Sequence, residues 1–279
     1  MTPLAEKRLY RIGLHAALIG CGALLVIPFY WMIITSFKGL DDIFKIPISF
    51  APPSRGTLDP YRNLLQTIPY LQFMRNTLII TLTATAGQIF FCSLAGYAFS
   101  KHKFDGRNVL FLFLLSTMMV PDSVLLVPNY LLMKDFHWLN TYYPLIVPGL
   151  ASIFGIFLCK QFIDGIPQDF VDAARIDGCG EFRIFTAVIV PLAKPVLATL
   201  GILAFLGQWN SFQGPLIYLM DESKYTLQLG IALLLGRYSG APNIQMAGAT
   251  LGVLPVLAVF FGLQRQIIAS LSSSGIKSV

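Results

Sequence analysis

The chain has 279 residues, of which 55% are hydrophobic and 12% charged, and its mean hydropathy is +0.68. So much apolar surface, including 22 phenylalanines, exceeds what a soluble domain can bury, so the composition excludes a soluble protein and indicates a lipid bilayer. The formal net charge is +6, but no basic and aromatic pattern typical of RNA binding occurs, which argues against nucleic acid as a partner.

Six stretches are long and apolar enough to cross a membrane. About 20 apolar residues span the hydrocarbon as a helix, and an ion at the centre of such a helix is costly. We therefore predict an all-α integral membrane protein with one transmembrane domain, residues 1–279. Asp122 follows Pro121 inside the third stretch, so a kink or an aqueous end is expected there. The predicted spans are residues 12–37, 76–100, 108–133, 138–160, 195–220 and 243–265.

Six spans place both termini on the same side, and the basic residues predict which side that is. With the N-terminus in the cytoplasm, twelve of the twenty Lys and Arg residues lie on the cytoplasmic side. Five of the other eight lie in the long loop before the second span, and long loops cross the membrane with little regard to charge. Both termini are therefore predicted to be cytoplasmic.

The loop between the fourth and fifth spans, residues 163–191, is unusually polar. Asp169 lies where a helix dipole favours a carboxylate, so a helix is predicted from there to Gly178, which is a natural helix stop. A second short helix is expected from Glu181 to Val190, before Pro191.

The side chains of the first predicted helix suggest a docking surface. Ala173 and Ala174 are small enough to let another surface approach closely, and Asp172, Arg175 and Asp177 would surround them with charge. An ordinary solvated loop explains the same residues about equally well.

The sequence offers no catalytic or metal-binding pattern. It contains no Gly-Lys dipeptide, so a phosphate-binding loop is excluded and any ATP must be hydrolysed on another chain. No Ser/His/Asp or paired-carboxylate arrangement stands out, and no Cys or His residues have ligand spacing. We expect a non-catalytic subunit that binds no metal and no cofactor.

The spacing of Asp172, Ala173 and Ala174, then Gly178, then Pro191 resembles the E-A-A motif of bacterial ABC-importer permeases. In that family, this loop forms a coupling helix that sits in a cleft of a cytoplasmic ATPase subunit. The resemblance implies the same role for these residues and for Asp177. Asp172 replaces the usual Glu, which keeps the sign of the charge.

Further segments resemble the shorter, six-span permease of maltose-type sugar importers. They are TSFK, RNTLII, AGYAFSKHKFDGRN, MMVPDSVLLVPNYLL and FLGQWNSFQGPLIYL, whereas the SSSGIKSV ending matches that family loosely. The resemblance implies a bacterial inner-membrane permease for an oligosaccharide, sugar or polyol phosphate that works by alternating access. It also implies a homologous second permease, two ATPase subunits that hold ATP and Mg²⁺, and an external solute-binding protein.

A polar cluster inside the fifth span is a candidate for substrate contact. Trp209 could stack on a sugar ring while Asn210 and Gln213 hydrogen-bond its hydroxyls, but hydrogen bonding between helices explains these residues as well. Met119 and Asp122, beside Pro121, are weaker candidates because methionines at a kink usually fill gaps in a core.

The external loop of residues 221–243 contains an apolar segment that is too short to span the bilayer, so an interfacial or re-entrant helix is expected. The family resemblance implies that the end of this segment reaches into the docked binding protein. The contact residues would be Arg237, Tyr238, Ser239 and Gly240.

Two other transporter classes remain as alternatives. A secondary, ion-coupled transporter would usually carry ionisable residues within its spans, and here the predicted spans are nearly devoid of them apart from Asp122. An ABC permease for amino acids or peptides would share the 163–191 loop, but the sugar-type segments outside that loop argue against it.

Overall fold

The computed structural model describes residues 3–43, 50–53, 56–237 and 241–275. About 80% of the described residues are helical, and none of them forms a β-strand. The helices are α1 (Pro3–Ser36), α2 (Leu40–Ile43), α3 (Asp59–Thr67), α4 (Tyr70–Lys101), α5 (Arg107–Thr117), α6 (Asp122–Asp135), α7 (Tyr143–Ile146), α8 (Ile153–Asp164), α9 (Asp169–Ile176), α10 (Glu181–Ile184), α11 (Val190–Leu192), α12 (Lys194–Trp209), α13 (Gln213–Tyr218), α14 (Leu227–Arg237) and α15 (Pro242–Gly275).

Four helical stretches of the described chain are long and apolar enough to cross a membrane. They are Tyr10–Ser36, Tyr70–Lys101, Tyr143–Asp164 and Pro242–Gly262. Two further pairs of helices, α5 with α6 and α10–α11 with α12, meet the same criterion only when each pair is taken together across a sharp bend. The all-helical prediction is confirmed, and the described chain has four helices that could span a membrane by length and composition, or up to six if each bent pair counts as one.

The third predicted span is not one continuous helix. Helix α5 ends at Thr117 and α6 begins at Asp122, and the two helices meet at an angle of 97°. Pro121 precedes α6, and its own ψ of 138° is extended instead of helical. A proline also disfavours helical geometry in the residue before it. The kink expected beside Asp122 is therefore a complete break between two helices.

The fourth and fifth predicted spans are also interrupted. Between residues 138 and 152 the chain forms only α7 and a 3-10 turn, Pro148–Leu150, before α8 begins. In the fifth span, α12 ends at Trp209, and the backbone N and side-chain Nδ2 of Asn210 both donate to the carbonyl of Leu206, at 3.1 and 3.0 Å. These bonds satisfy a carbonyl at the helix end, and α13 starts only at Gln213.

The described residues form two compact units. The first contains those of residues 1–70 and 231–254. Here the Ser36 hydroxyl lies 2.7 Å from the Tyr61 hydroxyl and joins the end of α1 to α3. The Tyr70 hydroxyl donates to the carbonyl of Gly248 in α15 at 3.0 Å.

The second unit contains the described residues of 71–230 and 255–275. Helix α4 packs against α8 so closely that a Cβ atom on Gly96 would lie 2.7 Å from the Cβ atom of Cys159 and 2.9 Å from the backbone N of Lys160. A buried apolar cluster extends from these helices to the 163–191 loop and includes Cys92, Tyr97, Ile163, Val171, Ile184, Phe185, Ile189 and Leu200.

The external loop predicted at residues 221–243 contains α14, as its apolar segment suggested. Leu227, Leu229 and Leu234 of this helix are buried. The predicted contact residues Tyr238, Ser239 and Gly240 lie outside the described residues, as does the side chain of Arg237.

Candidate functional site: the 163–191 loop

Gly178 ends α9 with a left-handed turn, as the sequence predicted. Its φ is +77°, which glycine adopts without the steric cost of a Cβ atom. The Gly178 N–H donates to the carbonyl of Arg175 and the Cys179 N–H to the carbonyl of Ala174, both at 3.0 Å. This pair of bonds is a Schellman motif, which satisfies two carbonyls at the end of the helix and reverses the chain direction.

The two faces of α9 differ in burial. Val171 and Ala174 point into the apolar cluster and are 0% and 8% exposed. Phe170, Ala173 and Ile176, spaced three residues apart, form an exposed face, with Ile176 86% exposed. Of the two alanines predicted to meet another surface, the structure therefore leaves Ala173 accessible and buries Ala174.

Another exposed apolar side chain lies beyond the helix. Phe182 of α10 is also largely exposed and adds to the apolar side chains of Phe170 and Ile176 on this short polar loop. The sequence reasoning missed these three residues, although the spacing of Phe170 and Ile176 opposite Val171 was a signal that could have found the outer face.

Charged side chains lie on the same helix and turn. Asp172 and Asp177 are exposed, and the Asp172 carboxylate accepts from Gln168 Nε2 at 3.2 Å and from Arg175 Nη1 at 3.5 Å. The structure thus brings Asp172, Ala173, Asp177 and Gly178 together on one exposed helix and turn.

Glu181 connects the loop to α4. Its carboxylate accepts from Arg175 Nε and from the Tyr97 hydroxyl, both at 2.8 Å, and lies 3.3 Å from His102 Nε2. The Arg175 guanidinium and then the Tyr97 hydroxyl hold the pKa of Glu181 below its ordinary range, because both donate to the charged form. The sequence reasoning missed this network, because Tyr97 and Glu181 are 84 residues apart.

The second short helix of the loop differs from its prediction. It runs from Glu181 into a π-helical turn, Phe185–Ile189, and continues through Pro191 to Leu192 instead of ending before the proline. In the π turn, the N–H of Val190 bonds to the carbonyl of Phe185, five residues earlier. Pro191 is exposed and lies just before an 83° bend into α12.

The predicted substrate-path residues have different environments. Trp209 is 1% exposed and stacks on Phe205, with ring centroids 5.5 Å apart and an angle of 12°. Asn210 and Gln213 are exposed on either side of the break between α12 and α13. Met119 and Asp122 are exposed at the break between α5 and α6.

Asn140 joins two separate segments of the second unit. It has a φ of +58°, and its Oδ1 accepts from the N–H groups of Met220 and Asp221, both at 3.1 Å. Its Nδ2 donates to the Asp221 carboxylate at 2.6 Å, and Lys224 Nζ donates to its carbonyl at 2.8 Å. This cluster, which the sequence reasoning did not find, fixes the segment before α7 against the segment after α13.

The apolar helices and the polar, structured 163–191 loop define a multi-span membrane protein with a surface suited to a protein partner. Comparison with known proteins identifies the class more closely. The chain belongs to the family of binding-protein-dependent transport system inner membrane components, whose family model matches residues 23–273.

Curated relatives have nearly the same length. The chain is 32% identical to the arabinooligosaccharides transport system permease protein AraQ of Bacillus subtilis, over 96% of each chain. It is also 32% identical to the melibiose/raffinose/stachyose import permease protein MelC of the same organism, over 99% of this chain and 100% of that protein.

A solved structure shows the same fold. It belongs to a bacterial ABC transporter involved in the import of the acidic polysaccharide alginate, and one of its chains superposes with a TM-score of 0.83 at 23% identity. The match covers 94% of this chain and 98% of that chain.

Proposed function

We propose that this chain is a permease subunit of an ATP-driven importer and that its 163–191 loop is the segment that couples it to an ATPase. The observation that carries this proposal is the exposed face of Phe170, Ala173 and Ile176 beside the Gly178 turn. An apolar surface on a polar loop is stable in water only at a cost, so such a surface typically marks a protein interface. Ala173 has only a methyl side chain and Gly178 has none, so a second surface can approach the centre of this face closely.

The partners follow from what this chain lacks and from its charges. It has no phosphate-binding loop, so ATP and Mg²⁺ belong on two separate cytoplasmic ATPase subunits. With six spans, its basic residues favour both termini in the cytoplasm, and the 163–191 loop would then lie on the ATPase side. A second, homologous permease completes the pathway, and the family description supports an external solute-binding protein.

The packing of the loop suggests how motion would pass into the membrane. Val171 and Ala174 sit in the same apolar cluster as Leu200 of α12, and Glu181 joins Arg175 to Tyr97 of α4. A shift of α9 imposed by the ATPases would therefore move α4 and α12 with it, because closely packed elements do not deform independently. An alternating-access mechanism, in which the spans open to one side at a time, requires such a coupled movement of the loop and the spans.

We propose a carbohydrate as the transported solute. The support is that AraQ and MelC are named for oligosaccharides and match this chain over nearly its whole length. Asn210 and Gln213 are exposed at a break in a span, where amides could hydrogen-bond sugar hydroxyls. Trp209, buried on Phe205, serves the packing of α12 instead of stacking on a sugar.

The test is reconstitution of the complex as it is purified from membranes. ATPase activity is measured in vesicles with the candidate binding protein and a panel of oligosaccharides, amino acids and peptides. Stimulation by one sugar-loaded binding protein is the expected result. Stimulation only by an amino acid or peptide would keep the importer and replace the substrate class. Uptake driven by an ion gradient, with no ATPase subunit present, would overturn the proposal in favour of a secondary transporter.

A further inference from the structure

A small polar cavity lies in the second unit, where α4 faces the break between α12 and α13. Five of its eight lining residues are polar: Thr77, Thr81, Gln208, Ser211 and Thr226. The space open to the centre of a water molecule in this cavity is about 10 Å³. That volume is close to the minimum that holds one water, and it is too small for any sugar.

Two hydroxyl groups that line this cavity lack a protein partner. Thr81 is 0% exposed and Thr226 is 4% exposed, and the hydroxyl oxygen of each makes no hydrogen bond to the described residues. A buried hydroxyl without a partner loses its hydration and gains nothing in return, which destabilises the fold. Two such groups facing one cavity of this size indicate a ligand that is small and both donates and accepts hydrogen bonds.

The neighbouring hydroxyl of Thr77 is already satisfied, which separates it from this pair. The Thr77 hydroxyl donates to the carbonyl of Phe73 at 2.9 Å and accepts from the N–H of Leu227 at 2.7 Å. Thr77 therefore ties α4 directly to the start of α14, whereas Thr81, one turn further along α4, reaches the cavity.

We propose that one water molecule binds in this cavity and is shared by the hydroxyls of Thr81 and Thr226. A water can accept from both hydroxyls and still donate two hydrogen bonds, and Gln208 and Ser211 offer acceptors in the same lining. The water joins α4 to the broken fifth span through hydrogen bonds that can exchange, in place of apolar contacts. This inference does not depend on which solute is transported.

The water therefore makes a polar contact at the point where the fifth span is interrupted. Gln208 precedes the break and Ser211 lies within it, so a water held there also contacts the segment between α12 and α13. Bound water commonly takes the place of missing protein partners at such breaks.

Isosteric substitutions distinguish a hydrated cavity from a dry one by the sign of their effect. Thr81→Val and Thr226→Val are made in the full-length protein, purified in its native complex, and the midpoint of thermal unfolding is measured. If the water is bound, each variant leaves it short of a partner and lowers the midpoint by on the order of 2 °C. If the cavity is dry, each variant removes an unsatisfied hydroxyl and leaves the midpoint unchanged or higher, which would overturn the proposal.

A double variant tests whether the two hydroxyls share the same water. Once Thr81→Val has weakened its binding, Thr226→Val has less to remove, so the double variant should lose less than the sum of the single losses. Strictly additive losses would contradict a shared water.

Thr85→Val is the matched control. Thr85 lies one turn beyond Thr81 on α4, is 9% exposed, and its hydroxyl also has no partner among the described residues, but it does not line the cavity. Its substitution should leave the midpoint unchanged or raise it. Should the cavity variants fail to fold, a density map of the wild-type complex that resolves other buried waters decides the matter. A peak within hydrogen-bonding distance of both hydroxyls supports the proposal, and its absence overturns it.

Discussion

The Tyr97 hydroxyl donates to the Glu181 carboxylate at 2.8 Å and thereby joins α4 to the 163–191 loop. Tyr97 is 3% exposed, whereas the Glu181 side chain is 48% exposed. The other carboxylate oxygen of Glu181 accepts from Arg175 of α9. One carboxylate therefore connects the proposed coupling helix to a membrane-spanning helix, in addition to the apolar contacts between them.

We expect Tyr97→Phe to weaken this connection without unfolding the protein. The loss should be roughly 1 kcal/mol, at the low end for a bond to a charged group, because water can reach the half-exposed Glu181 and replace the lost donor. In reconstituted vesicles, stimulation of ATPase activity by the binding protein should fall relative to basal activity.

A double-mutant cycle provides the control for this prediction. Tyr97→Phe and Glu181→Ala should be non-additive in the thermal midpoint, because they remove the same bond. Tyr97→Phe and Arg183→Ala should be additive, because Arg183 is exposed on the same short helix. Additivity in both pairs would show that the Tyr97–Glu181 bond contributes nothing.

Gly178 and Gly180 form a matched pair for testing the turn after α9. A Cβ atom would find open space at both positions, but the φ of Gly178 is +77° and that of Gly180 is −70°. Gly178→Ala should therefore destabilise the turn by about 1–2 kcal/mol through backbone strain alone, whereas Gly180→Ala should carry no such strain and cost less, because alanine adopts a φ of −70° freely.

The functional effect of the turn is measured with a bulkier side chain. Gly178→Leu should insert into the membrane normally but lose ATPase assembly or coupling, because it adds both strain and bulk beside Ala173. Normal transport by this variant would contradict the proposed role of the loop.

Ile176 tests the exposed face of α9 separately from the fold. Because it is 86% exposed, Ile176→Ser should leave the free energy of unfolding of the isolated chain within about 0.5 kcal/mol of the wild-type value. Co-purification of the ATPase subunits should decrease, since an apolar contact at the interface is lost. The contrasting variant is Val171→Ala on the buried face, which should lower the midpoint with a smaller effect on assembly. Equal recovery of ATPase with Ile176→Ser would place the interface elsewhere.

The 163–191 loop could be predicted largely from sequence because its signals are local. Asp169 at a helix start and Gly178 at a helix end are read from neighbouring residues alone, and the structure has α9 between them. Pro121 likewise indicated the kink in the third span, but the 83° bend before α12 and the break at Asn210 could not be located from hydropathy, which measures the length of an apolar stretch and not its direction. Contacts such as Tyr97 with Glu181, and the burial of Ala174 instead of Ala173, depend on tertiary packing that a single sequence does not encode locally.

Asn140 allows the cost of its backbone conformation to be separated from the value of its side chain. Asn140→Ala and Asn140→Gly both remove the bonds to Met220 and Asp221, but only glycine adopts a φ of +58° without strain. We expect both variants to be destabilised, and alanine to be worse by about 1 kcal/mol. The comparison is made on thermal midpoints in the same detergent. Equal midpoints for the two variants would mean that the loop relaxes and the strain is not retained.

The close approach of α4 and α8 at Gly96 gives a final prediction. A Cβ atom there would lie 2.7 Å from Cys159 Cβ and 2.9 Å from the backbone N of Lys160, and backbone atoms cannot move aside as the end of a side chain can. Gly96→Ala should therefore separate the two helices and destabilise the protein by about 1–3 kcal/mol. Gly207→Ala in α12 is the control, because no atom lies within 4 Å of its Cβ position and alanine favours a helix by roughly 1 kcal/mol. The thermal midpoint should fall for Gly96→Ala and stay equal or rise for Gly207→Ala. A Gly96→Ala variant as stable as wild type would show that α4 and α8 can separate without loss of stability. It would also show that this contact does not hold the 163–191 loop in place.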